Sequence, residues 1–301
     1  MNWLMTAILA TLSFGFFGLF DKLSTFQDPV LSNFIIYLTT VVSGLVLVLI
    51  RRKKIIFSKE AYISGLFAGV AGLSILYALL SNFVIIVFPF VSFSSVIFFF
   101  IIMFSEKPKL SINQKVLVST GIIISVIGLF VASTSTVGGL YSFLNSFRID
   151  SNFFLLGLLI SVGCGLWSFF SFVAVKKKNA EIINANFWVL AGCFTTALIA
   201  FAIIGISISP SIFNFQDVRN IFPIFSGLAI FSGSVFTLKA YKITTGKSRI
   251  QETVVAILTN AEILPLIFLS YFILKEFTVE GFIGAFIVFI GLSILNYAEK
   301  M

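Results

Sequence analysis

Ten runs of apolar residues, each about the length of a membrane-crossing helix, follow one another along the chain with little between them. They cover roughly 3–20, 31–50, 61–80, 83–104, 115–133, 152–174, 182–206, 220–240, 250–273 and 279–297. A helix rises about 1.5 Å per residue, so about 20 apolar residues cross a hydrocarbon layer roughly 30 Å thick. No water reaches the peptide groups there, so repeated crossings must be helical. Of 301 residues, 59% are hydrophobic and 11% charged, and the mean hydropathy is +1.11. That balance excludes a soluble globular domain, a disulfide scaffold and a disordered chain. No polar stretch is long enough for a soluble domain on an anchor. The expected fold class is an all-α polytopic membrane protein with ten transmembrane helices. The first run has no Lys or Arg before it and no clear small-residue cleavage site, so it reads as a span and not a leader.

The charges set the expected orientation. Net charge is +8, but the basic residues sit in short clusters between apolar runs, which points to membrane topology and not to nucleic acid. With ten spans both termini share a side. If that side is cytoplasmic, 16 of the 20 Lys and Arg face inward: Arg51, Arg52, Lys53, Lys54, Lys59, Lys107, Lys109, Lys115, Lys176, Lys177, Lys178, Lys239, Lys242, Lys247, Arg249 and Lys300. Only Lys22, Arg148, Arg219 and Lys275 face outward. The expectation is a multi-pass protein of the plasma membrane with both termini cytoplasmic.

Absences narrow the chemistry. The chain has no His, which removes serine-triad catalysis, His-ligated metals and His proton relays. Its 2 Cys, Cys164 and Cys193, lie in apolar runs and form no ligand cluster. No metal, cofactor or enzymatic activity is expected: an intramembrane aspartyl enzyme needs two Asp within spans, and Asp21, Asp28, Asp150 and Asp217 read as loop or span-end residues. The 39 Phe read as lipid-facing filler or codon bias, not as a binding box.

The second half of the chain echoes the first. Gly121 and Gly128 in the fifth span match Gly284 and Gly291 in the tenth, each pair seven positions apart. Ser64-Gly65-Leu66 in the third span matches Ser226-Gly227-Leu228 in the eighth, and Asn33-Phe34 matches Asn186-Phe187. The expected division is a first repeat over 1–133, an external linker over 134–151 and a second repeat over 152–301. Five helices per repeat is odd, so the copies enter the membrane in opposite senses, an arrangement used by secondary transporters.

On these residues the chain resembles the drug/metabolite transporter superfamily, in particular its EamA-like members. The resemblance rests on Tyr77-Ala78 and Lys239-Ala240-Tyr241 ending the third and eighth spans, on Glu106 and Glu276 closing the fourth and ninth, and on the paired glycines. Glu262-Ile-Leu-Pro265, an apolar run and Glu276 look like that family's proline-then-acid pattern. In the first repeat Ser95 stands where the second has Pro265, and Pro89 lies further from its acid. The resemblance implies a carrier with a central cavity lined mainly by spans one to four and six to nine, with spans five and ten as peripheral packing helices.

Polar residues inside spans supply the candidate site. Glu262 lies near the middle of the ninth span, where a carboxylate costs several kcal/mol unless paired, hydrated or protonated. It is the leading candidate for substrate contact or proton coupling, with Asn260 beside it and Trp167, Trp188, Tyr37 and Asn186 as further contacts. Lys239, Lys242, Glu252, Glu106 and Glu276 are candidates for gates or helix ends. Ser248 and Gln251 have capping-box spacing, so Glu252 also fits a first-turn dipole role, and the lysines also fit snorkelling. Pro89 and Pro265 mark expected helix breaks in corresponding spans. The expected function is secondary transport of a small organic solute by alternating access, with proton coupling open. The expected partners are that solute and the bilayer, with the chain a monomer or homodimer. The alternative is a channel or structural membrane protein without carrier activity.

Overall fold

The computed structural model describes residues 2–24, 28–82, 84–106, 111–134, 139–146, 150–204, 221–244, 255–256, 258–259, 266, 269–275 and 278–300. Those residues carry helices and no strand. The helices are α1 (Trp3–Ser24), α2 (Pro29–Ile50), α3 (Lys59–Ser81), α4 (Val84–Glu106), α5 (Ile112–Thr134), the short α6 (Leu140–Ser146), α7 (Ser151–Phe172), α8 (Ile182–Ile204), α9 (Phe222–Ile243) and α10 (Val279–Lys300). α7 runs into a π-helical turn, Val173–Lys177, and the partly described ninth span ends in another, Ser270–Leu274. Among the described residues, seven helices are long and apolar enough to cross a membrane, and two shorter apolar stretches, Ile86–Ile102 and Val279–Leu295, accompany them. The chain is a polytopic helical membrane protein.

Local chemistry explains several helix starts. Asp28 accepts from the amides of Val30 and Leu31 at 2.9 and 3.0 Å, and Pro29 occupies the first turn, where its missing N–H costs nothing. Asp150 caps α7 in the same way through Asn152 and Phe153. Ser111 and Gln114 form a reciprocal capping box before α5.

The helices sort their faces for lipid. Ile8, Leu12 and Phe16 form an exposed stripe on α1, while Ala7, Ala10, Gly15 and Gly18 turn inward. Small residues inside let backbones approach, which is how helices associate where the solvent is as apolar as leucine. On α5 and α10, Gly121 faces the carbonyl of Gly291 and Gly128 faces that of Gly284, so the two helices run antiparallel. α3 packs parallel to α8 through Gly65, Gly69 and Gly192. α3 runs antiparallel to α7, with Ser64 on Ser171 at 2.8 Å and Gly163 against Ala71. α1 runs antiparallel to α9, α2 lies against α8 and α9, and α4 lies along α7.

α4 is the central helix, and here the filler reading of phenylalanine fails. Phe88, Phe90 and Phe98 are fully enclosed, with Phe90 edge-on to Phe153 and Phe98 edge-on to Phe172. Helix runs through Pro89 without interruption. Beside α4, the described part of the ninth span is tied in by two hydroxyls: Thr11 donates to the carbonyl of Leu258 at 2.5 Å and Ser95 to that of Ala256 at 3.2 Å.

Candidate functional site

A cavity of about 60 Å³ lies where α1, α2, α3, α4, α7, α8 and α9 meet. Its wall is largely apolar and aromatic: Phe14, Phe17 and Trp167 form one side, with Trp167 edge-on to Phe14 at a 5.5 Å centroid distance. Tyr37 enters from α2, and its hydroxyl donates to the carbonyl of Ala68 at 3.1 Å. That hydroxyl occupies the space a side chain on Gly72 would need. Cys164 and Cys193 both line the cavity, as does Ser234, whose buried hydroxyl has no hydrogen-bond partner among the described residues. No charged side chain lines it among the described residues.

Of the residues singled out in the sequence, Tyr37 and Trp167 are therefore brought together. Asn186 is buried on α8 with neither side-chain polar atom hydrogen-bonded among the described residues, but it does not line this cavity. Trp188 lies apart. Its indole donates to the carbonyl of Ile56 at 2.8 Å and its ring meets Phe57 edge-on, so it anchors the loop between α2 and α3. Asn184, which the sequence did not single out, completes that anchor by accepting from the amide of Ile56 at 2.9 Å and donating to its carbonyl. Glu262, Asn260, Glu252, Glu276 and Pro265 lie outside the described residues, as does the side chain of Glu106.

Lysine contacts tie helix ends together on both sides of the bundle. At the end rich in lysine, Lys242 donates to the carbonyl of Ala180 at 2.7 Å, with Lys239 half-buried on the same helix. Lys176 reaches from the π turn to the carbonyl and hydroxyl of Thr244 at the end of α9. A lysine ammonium suits the unpaired carbonyls of a helix C-terminus. At the far end Lys22 does the same for α3, donating to the carbonyls of Leu79 and Asn82 at 2.9 Å each.

The sequence reading missed Asp21. It stands one turn from the end of α1 and reads as a hydrated span-end acid, yet it is 1% exposed. One carboxylate oxygen accepts from Ser226 on α9, and the other has no hydrogen-bond partner among the described residues. Nearby on α2, Asn33 is buried with its amide nitrogen unsatisfied in the same sense.

Fold and site together define a polytopic helical membrane protein with a small cavity among seven of its helices and lysine contacts tying helix ends on both sides. No family model and no curated protein matches the chain. Chains of known structure do match, 26 of them. One, described as "Crystal structure of protein", superposes with a TM-score of 0.61 over 97% of this chain and 96% of its own, at 14% identity. Identity that low establishes a shared fold along nearly the whole chain and leaves activity to be argued from the site.

Proposed function

We propose that the chain is a secondary carrier of a small organic solute, working by alternating access between two inverted five-helix repeats, as in EamA-like members of the drug/metabolite transporter superfamily. The observation that carries this reading is the make-up of the central cavity. Both halves of the chain supply its wall: Phe14, Phe17, Tyr37 and Gly72 from the first, and Cys164, Trp167, Cys193 and Ser234 from the second. A site bounded by both halves is what alternating access between two repeats calls for.

Contacts around it support the repeats. Thr11 on α1 donates to Ala7 one turn back and across to Leu258 in the ninth span. Ser161 on α7 donates to Gly157 one turn back and across to Phe90 on α4. Ser226 on Asp21 has a counterpart in Ser64 on Ser171. Asp21–Ser226 and Ser64–Ser171 lie toward opposite ends of the bundle, which supports reading the halves as inverted copies. The charge asymmetry supports cytoplasmic termini, with the lysine-rich end inside.

A cavity of about 60 Å³ holds a few waters, whereas sites for drug-sized ligands run to hundreds of cubic ångströms. The wall must therefore part to admit a solute of that size. Aromatic faces favour a solute with an apolar or aromatic body. Glu262 is proposed as the acid of the site, by its mid-span position alone. The test is a panel of small solutes screened by thermal shift, followed by counterflow in proteoliposomes. A solute that stabilises the protein, exchanges across the membrane and slows maleimide reaction at Cys193 is the expected result. Stabilising solutes that bind at the cavity yet never cross would contradict a carrier.

A further inference from the structure

We propose that Asp21 is a proton-binding site, and that its occupancy decides whether the far ends of α1 and α9 stay closed. This rests on the carrier reading for its purpose but not for its physics. An acid shut away from water is stable as the neutral form, while its ionised form needs hydration or several donors. Asp21 receives one hydrogen bond, from Ser226, and its second oxygen has no hydrogen-bond partner among the described residues. The same short stretch of α9 also touches α2, where Gly227 lies against the carbonyl of Ile36 one turn beyond the buried Asn33. Opening this layer would therefore hydrate the carboxylate and part α9 from both neighbours.

The charged and titratable groups on the elements around it are few. Lys22 follows it on α1 and is turned to the carbonyls of α3. On α2, Asp28 is occupied as the helix cap and Tyr37 bonds Ala68. Lys275, beyond the π turn of the ninth span, is exposed. The halves of α9 and α4 toward this end hold no acid or base among the described residues, and that of α3 holds Tyr77, which is 37% exposed. On protonation the free oxygen takes one proton from water, a single O–H bond forms, and the hydrogen bond from Ser226 is kept. Deprotonation returns that proton to water and restores a charge that only hydration stabilises. Acid closes this end and alkali opens it.

Nitroxide labels on Leu23 and Phe225, in a background of Cys164→Ala and Cys193→Ala in lipid nanodiscs, report the separation of the two helix ends without any solute. The distance should lengthen by several ångströms from mildly acidic to mildly alkaline pH. Asp21→Asn, which keeps the shape and stays neutral, should hold the short distance throughout. Ser226→Ala, which removes one bond from the closed form, should move the midpoint to lower pH without abolishing the response. Glu262→Gln should leave the response in place. A pH-independent wild-type distance, an unchanged response in Asp21→Asn, a response lost in Glu262→Gln, or one that follows sodium at fixed pH would overturn the assignment. The two readings fail separately. A pH-driven distance in a protein that exchanges no solute would sink the carrier and leave the proton site, and exchange with a distance indifferent to pH would do the reverse.

Discussion

Tyr37 and Gly72 hold each other in place at the cavity wall, because a methyl group on Gly72 would fall on the tyrosine hydroxyl. Gly72→Ala is therefore expected to swing the ring away, break its bond to Ala68 and weaken solute binding at least tenfold. Tyr37→Phe alone loses a hydrogen bond worth about 1 kcal/mol. The double variant should bind better than Gly72→Ala, because the clash goes with the hydroxyl, and titrating all three by thermal shift checks that sign of coupling. Additive losses would mean the two residues act independently. For Glu262, Gln keeps the shape and removes titration, so Glu262→Gln should abolish gradient-driven accumulation while leaving exchange partly intact. A variant that accumulates solute normally would remove the proton role. At this scale the sequence was readable where residue type alone decides: two cavity residues, Tyr37 and Trp167, stand out as aromatics inside spans. Asp21 was not readable, since an acid one turn from a helix end is ordinarily hydrated, and only the packing of α9 over it closes the site. Trp188 misled for the converse reason. An indole near a span start fits either a cavity or a loop anchor, and the loop beginning at Arg51 decides for the anchor.

Among the elements, α5 and α10 depend most on close backbone approach. A Cβ on Gly128 would lie 2.7 Å from the carbonyl oxygen of Gly284, and one on Gly284 2.6 Å from that of Gly128. Backbone cannot turn aside as a side-chain end can, so Gly128→Leu should cost about 1–3 kcal/mol by overpacking, or more if the helices separate. Neither helix lines the cavity, so the folded fraction should bind solute with unchanged affinity. A lower melting temperature with normal affinity is the expected pair of readings, and lost affinity in a folded protein would place these helices in the site. The glycine spacing marked each as a close-packing helix, because seven positions keep two glycines on one helical face, but that the two pack on each other comes from the structure. α4 was legible as a span but not as the centre of the bundle. Its phenylalanines are what lipid-facing residues also look like, and hydropathy cannot tell hydrocarbon from a protein core. The π turn ending α7 left no sequence signal, although it aims Lys176 at the end of α9.

For the molecule as a whole, the account stands on one cavity that opens to either side of the membrane in turn. The chain carries its own probes for this, since its only 2 cysteines, Cys164 and Cys193, both line that cavity. Membrane-impermeant maleimide can be applied to right-side-out and inside-out vesicles, and the label read by mass spectrometry on each cysteine. The account predicts slow labelling from both sides. A cysteine added at Ser142, in the connection proposed to be external, should react only in right-side-out vesicles, and one at Lys177 only in inside-out vesicles. Asp21→Asn should selectively suppress cavity labelling from the right-side-out face, because the neutral side chain keeps that end shut. Cavity cysteines that react from one face alone under every condition, or from neither while both reporter cysteines react as expected, would contradict alternating access.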